Sequence, residues 1–306
     1  PYGMQANAVR VRLTRTETAG NPLSLFFARV LGTDTANTSA SATAMFDRAL
    51  CGPFVGIDWL SVPGNPQTDS YDSEKGLYGF SSPGHRGSIC SDGPISVEGA
   101  AIVRGHARAG KGHSVVQTGG SVITRSKGSR MKPLELPPVD ASEAAWNNDN
   151  DQIPLIPQGN SAVSPVDGNG NFLLDGNKSI ELPPGTYYFN DFTLEGQATF
   201  TTSGPTTIYV TGNLRRAGGV TVTNTSQLAA NLQIRMTGGT ADITSTNDFY
   251  GVIYAPNTHV TLDGDSDLFG AIVGKTLTVT GSGTGHYDES LALEGLEFPK
   301  RTTLVD

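Results

Sequence analysis

Apolar and polar residues alternate along this chain in short bursts. Val9-Arg10-Val11-Arg12-Leu13-Thr14 has the period of two of a strand with one buried face, which places Arg10 and Arg12 together on the solvent side. Residues 23–31 form the most apolar run, too short to span a bilayer and ended by Gly32. Residues 38–44 alternate Ser, Ala and Thr, the pattern of a strand lying close to another backbone. A loop-rich insert is expected over 51–92, which holds Pro53, Pro63, Pro66 and Pro83. A first block of short strands follows over 95–124. Residues 133–178 are irregular, with six prolines between 133 and 165. A second block runs from Ser179 to about Asp288, its strands of four or five residues punctuated by Gly or Asn. Glycines at 196, 204 and 212 recur every eight residues.

Two architectures fit such a pattern, an antiparallel sandwich and a β-solenoid. Two-residue hairpin signals are few: Asp175-Gly176, Asp263-Gly264 and little else. Short strands and small turn residues in more than a dozen repeats favour an all-β, right-handed parallel β-helix or β-solenoid with an N-terminal β segment and loop-rich inserts. The expected divisions are an N-terminal strand segment (1–50), the insert (51–92), a solenoid body (93–298, interrupted by 133–178) and a tail (299–306).

Composition sharpens this picture. Gly, Ser, Thr and Asn supply 113 of 306 residues, and charged residues are 16%. A helical bundle needs more Ala, Glu, Lys and Leu, and a disordered chain needs more charge than this. No run reaches the ~18 apolar residues of a membrane helix. The opening Pro1-Tyr2-Gly3 reads as the start of a processed or truncated product, which leaves an upstream hydrophobic segment open.

Net charge is -8, unfavourable for general phosphate binding. Its distribution is uneven. Residues 86–132 carry eight Lys/Arg against Asp92 and Glu98, and residues 133–195 carry ten acids against Lys178 alone. No aromatic residues interleave the basic stretch, so complementary head-to-tail surfaces are a better reading than nucleic-acid binding. Cys51 and Cys90 lie outside any CxxC or Cys/His metal pattern, and a disulfide between them would suit an exported protein; two free thiols are the alternative. Asp167, Asn169, Asn171 and Asp175 resemble the first ligands of a calcium loop, but Phe172 and Lys178 stand where such a loop needs Gly and Glu. A solvated turn is the simpler reading, and no cofactor is expected. Asp263, Asp265 and Asp267 share a period of two and would be the carboxylates of a β-helix hydrolase; Arg215-Arg216 is the adjacent basic pair a lyase would use. His286-Tyr287-Asp288 lacks an accompanying nucleophile elbow and reads as a cap on the last coil.

Three stretches carry a family resemblance: Tyr254-Ala255-Pro256-Asn257, the glycines at 270 and 274, and His286-Tyr287-Asp288-Glu289. They resemble the C-terminal β-solenoid domains of bacterial envelope proteins related to tight-adherence (Flp-type) pilus assembly. Residues 8–46, with the run Leu25-Phe26-Phe27 and the small-residue stretch, resemble the segment after the membrane helix of pilin-like members. Asp69-Ser70-Tyr71-Asp72-Ser73 fits as well. The helix itself does not occur in this sequence. The resemblance implies a surface-exposed structural or adhesive role and no catalytic residues.

The expectation is therefore a non-enzymatic subunit or accessory protein of an extracellular or bacterial cell-surface filament. Its expected partners are copies of itself, engaged through Val9, Val11 and Leu13 and through Leu25, Phe26 and Phe27, with no nucleic acid and no membrane span in this chain. A glycan-binding adhesin, recognising surface glycans, is the alternative, and a carbohydrate-active β-helix enzyme the next. Residues 1–50 packed as a cap on their own solenoid are an equally simple outcome.

Overall fold

A computed structural model describes residues 8–16, 18, 23–24, 35–36, 38–47, 51–79, 83–130, 132–292 and 301–305. The chain divides into two units, 1–50 with 299–306, and 51–298. In the first unit Ala8–Arg15 pairs antiparallel with Thr38–Asp47, so that Val9, Val11 and Leu13 stand opposite Ala44, Ala42 and Ala40. Arg301–Val305 pairs antiparallel along the other side of Thr38–Asp47. The expected tail is thus a strand, and the small-residue segment is the middle of a three-stranded sheet.

The second unit is a β-solenoid, with parallel pairing between the strands of its successive coils. Phe172 stands beside Phe192, and the ladder continues through Leu214, Ala241, Val260 and Leu277. It does not stop where the second block stops. Leu277 pairs with Leu60, and Leu60 with Ile95 and then Val115. A second inward ladder makes the same crossing, from Tyr187 through Ile208, Ile234, Ile253 and Ile272 to Phe54, Ile89 and Ala107. The early part of the chain is therefore stacked on the end of the late part. Apart from a partly buried Val115, these side chains form one continuous buried core. A fully buried Leu, Ile or Phe contributes roughly 1.5–3 kcal/mol.

This order corrects the expected insert over 51–92. That stretch supplies the strands Phe54–Val62, Gln67–Tyr71 and Ile89–Cys90, which join the two blocks. Its prolines sit mostly at strand margins, where no ladder N–H is needed.

Glycine spacing reflects the corners. Gly196 closes the strand Phe192–Gly196, Gly204 lies between Thr199–Thr202 and Thr206–Val210, and Gly212 precedes Leu214–Gly218. Each run of eight residues is one side of a three-sided coil. At the same corner of later coils Gly99 has φ 72°, and a Cβ there would lie 2.4 Å from the Gly64 carbonyl oxygen. Only glycine combines that backbone with that approach.

The irregular stretch is a strap returning from one end of the stack to the other. Its Leu134 N–H donates to Asp92, and Leu134 and Leu136 pack on Val55, Cys90 and Val273. The Tyr254 hydroxyl donates to the Pro137 carbonyl over 2.6 Å. At the far end Thr186 N–H donates to Asp149 Oδ2 (2.8 Å) and Tyr188 N–H to Asn150 Oδ1 (3.0 Å), covering the outer edge of Gly185–Phe189. Ile153, Ile156 and Val166 close the core beneath it. Among the described residues no helix is long and apolar enough to cross a membrane.

Candidate functional site

The join between the two blocks collects polar side chains that the rest of the core excludes. Thr284–Asp288 runs parallel to Gln67–Tyr71, placing His286 beside Asp69 and Asp288 beside Tyr71. His286 is buried, with Nδ1 2.6 Å from Asp69 Oδ1 and Nε2 3.5 Å from Asp267 Oδ2. Tyr250, Phe269 and His286 hold one register position in successive coils, so their rings stack, at 4.3 Å and then 4.6 Å between centroids. Tyr78 packs against both the imidazole, at 3.9 Å, and Phe269, at 5.6 Å, and donates its hydroxyl to Asp69 Oδ2 over 2.7 Å.

With both ring nitrogens facing carboxylates, the imidazolium is the form that fits. Burial lowers the His286 pKa, but the hydrogen bonds and charges of Asp267 and Asp69 outweigh it, and the net shift is upward. Burial raises the pKa of Asp267, yet His286 and the Thr284 N–H together bring it below the ordinary carboxylate value.

Two further contacts surround this centre. Buried Asp288 accepts the N–H groups of Ser73 and Ser290, each at 3.1 Å. Burial and the adjacent Asp288 carboxylate raise the pKa of the Tyr71 hydroxyl. Glu289 accepts from Ser70 Oγ (2.8 Å) and from Arg86 (2.6 Å), an ion pair at the rim. These bonds tie residues more than 200 positions apart. The arrangement can hold two coils together and can bind or release a proton at His286. Among the described residues no hydroxyl or thiol is hydrogen-bonded to either of its nitrogens as a nucleophile would be.

Residues 1–44 match a family model described as "Putative Tad-like Flp pilus-assembly". This N-terminal segment is pilus-related. Residues 203–294, which include His286, match a second model described as "Domain of unknown function (DUF7305)". No curated protein matches the chain. Among solved structures, the competence-associated pilin ComZ from Thermus thermophilus aligns over 97% of this chain and 87% of its own, at 12% identity and a TM-score of 0.30, a likeness too low to carry an argument.

Val9, Val11 and Leu13 lie in the Tad-like segment, on a strand that is at the edge of its sheet among the described residues. Leu25, Phe26 and Phe27 lie outside the described residues. Cys51 and Cys90 are joined as a disulfide with Cα atoms 5.1 Å apart, linking two neighbouring coils. The calcium-like run is used within the fold. Asp167 accepts the N–H groups of Asn169 and Asn171, Asn171 Oδ1 accepts from Asn190, and Asp175 pairs with Lys178. Asp263, Asp265 and Asp267 do not converge: Asp263 bonds the Gly264 N–H, Asp265 is exposed, and Asp267 turns to His286. His286-Tyr287-Asp288 does not cap a last coil, because the coil of Gln67–Tyr71 is stacked beyond it.

Two features escaped sequence reasoning. Asp69 and Tyr78 from one coil and Asp267 from another gather around His286, and no local spacing announces that. Arg216 is buried, donating to the carbonyls of Val220, Asn247 and Asp248, with burial pushing its pKa down to about 10. Its signal was present: in Leu214–Gly218 the alternation turns Leu214 and Arg216 inward while Arg215 pairs with Glu195 outside.

Proposed function

We propose that this protein is a structural subunit or accessory protein of a pilus-like assembly on the bacterial cell surface, acting without catalysis. The observation that carries this reading is the Tad-like match of residues 1–44 in a chain whose remainder is a solenoid. In that role the strand Ala8–Arg15 offers a partner the backbone edge that is unpaired among the described residues, and the solenoid serves as a stiff body held by its polar join. The burial of His286 supports holding over chemistry, since a substrate has no access to it.

Fractionation tests the reading. The protein should appear in the material sheared from cells of its native host and be labelled by antibody on the cell surface. Deleting residues 8–15 should remove it from that fraction while the solenoid still folds. Confinement of the intact chain to the soluble interior would refute the role.

A glycan-binding role has one observation in its favour. Both tryptophans are solvent-exposed, Trp59 at 43% and Trp146 at 78%, and exposed indoles are platforms on which sugar rings stack. Retention on a glycan array that is lost in Trp146→Ala would favour it.

A further inference from the structure

We infer that the two ends of the solenoid bind one another in successive copies of this chain, the basic end of one seated on the acidic end of the next. The inference rests on the assembly role proposed above and names its partner, a second copy.

The stack has two chemically different ends. At one end lie Val115–Gln117, Val122–Ile123 and Lys127–Ser129. Each pairs with a strand of the preceding coil and, among the described residues, with nothing on its outer edge. At the other end the outer edge of Gly185–Phe189 is covered by Asp149 and Asn150, and Leu173 N–H donates to the Pro165 carbonyl. Among the described residues Ser179–Leu182 has only Thr199–Thr202 as a strand partner. Val122–Ile123 and Ser179–Leu182 each follow the strand of the Phe172–Val115 ladder in their own coil. They therefore belong to the same side of the stack. A second copy placed end to end would extend the parallel pairing on that side, because the strands of successive coils pair in parallel.

Charge selects this partner over others. The basic residues between 104 and 130 lie in the coils stacked at one end, and Asp149, Asp151 and Glu181 lie at the other, with the strap from Leu134 running between them. At the basic end Arg125 and Lys127 are exposed, and Lys127 donates to Gln117 Oε1. At the acidic end Asp151 and Glu181 are exposed. Each end also exposes apolar surface, Val116 and Val122 on one and Leu155 and Leu173 on the other. Opposite ends of one molecule cannot meet each other, so the complementary surface is on another copy. A heterologous contact of this kind repeats without closing and gives a filament.

The test uses the full chain, by sedimentation and negative-stain imaging. Wild-type protein should form end-to-end polymers that weaken about tenfold or more between roughly 0.05 and 0.5 M salt. Arg125→Glu with Lys127→Glu should abolish them, and so should Asp151→Lys with Glu181→Lys, both at unchanged melting temperature. Mixing the two variants, or combining all four changes in one chain, should restore association, an outcome that misfolding cannot produce. Wild-type chain that stays monomeric at every salt concentration overturns the inference. So do charge variants that polymerise like wild type. If the charge variants still enter the sheared surface fraction, end stacking fails while the assembly role stands; if wild type is absent from that fraction, the role itself fails.

Discussion

His286 lies between two carboxylates, with the rings of Phe269 and Tyr78 packed on it, and this makes it sensitive to pH. Its pKa is raised in the fold, so folding favours the protonated ring. The stability this contributes is fully present below the unfolded value of about 6.5 and is lost as pH rises through the higher folded value. Asp267 acts in the opposite sense: its pKa is lowered, so its contribution is present above about 3.9 and is lost as pH falls through the folded value. The two windows do not overlap. Thermal melts should therefore show a falling melting temperature as pH increases beyond about 6.5, and His286→Gln should flatten that slope. An unchanged slope in the variant would remove the linkage. A second residue-level test uses the corners. Gly99→Ala meets both a positive φ and the Gly64 carbonyl oxygen at 2.4 Å, whereas Gly112 has φ 81° and nothing within 4 Å. Gly99→Ala should lose more than about 1 kcal/mol in denaturant unfolding, and clearly more than Gly112→Ala. Equal losses would mean that backbone conformation alone, and not stacking, requires glycine.

At the scale of elements, the decisive feature is the meeting of Leu277 with Leu60 and of His286 with Asp69. Strand alternation, corner glycines and the disulfide were legible because each depends on neighbours in sequence or on a pair of rare residues. The join was not legible. A parallel pairing between residues more than 200 apart has no local period, and any alternating strand satisfies its register equally well. The segment 51–92 read as a loop because its prolines dominate the pattern, while Phe54–Val62 and Gln67–Tyr71 pack as ordinary coil strands between them. The polar centre was hidden for the same reason, since Asp69, Asp267 and His286 come together only once the blocks are stacked. The Cys51–Cys90 disulfide spans 39 residues beside this join. In the chain-entropy account closing such a loop contributes roughly 4 kcal/mol. Cys51→Ser with Cys90→Ser should lower the unfolding free energy by a sizeable part of that amount. A loss below about 0.5 kcal/mol would show that the packed coils already restrict the segment.

Across the whole molecule, stack order differs from chain order, and the strap that begins near Leu134 is the covalent route between the two outer ends. The chain also crosses between the two units at 50/51 and 298/299. Covalent continuity through the strap is therefore separable from the packing that holds the blocks together. The tip of the hairpin between Ile156–Gln158 and Ser161–Val163 is a suitable place to cut, because Gly159 and Asn160 are exposed and carry no core side chain. A specific protease site inserted there should give two fragments after cleavage. The disulfide cannot link them, since both cysteines lie on the N-terminal side. They should nevertheless co-elute as one native species, held by the continuous core, by the His286–Asp69 centre and by the pairing of Arg301–Val305 with Thr38–Asp47. Denaturant should separate them. Fragments that part under native conditions would mean that the strap, and not the packed join, keeps the two blocks in one body.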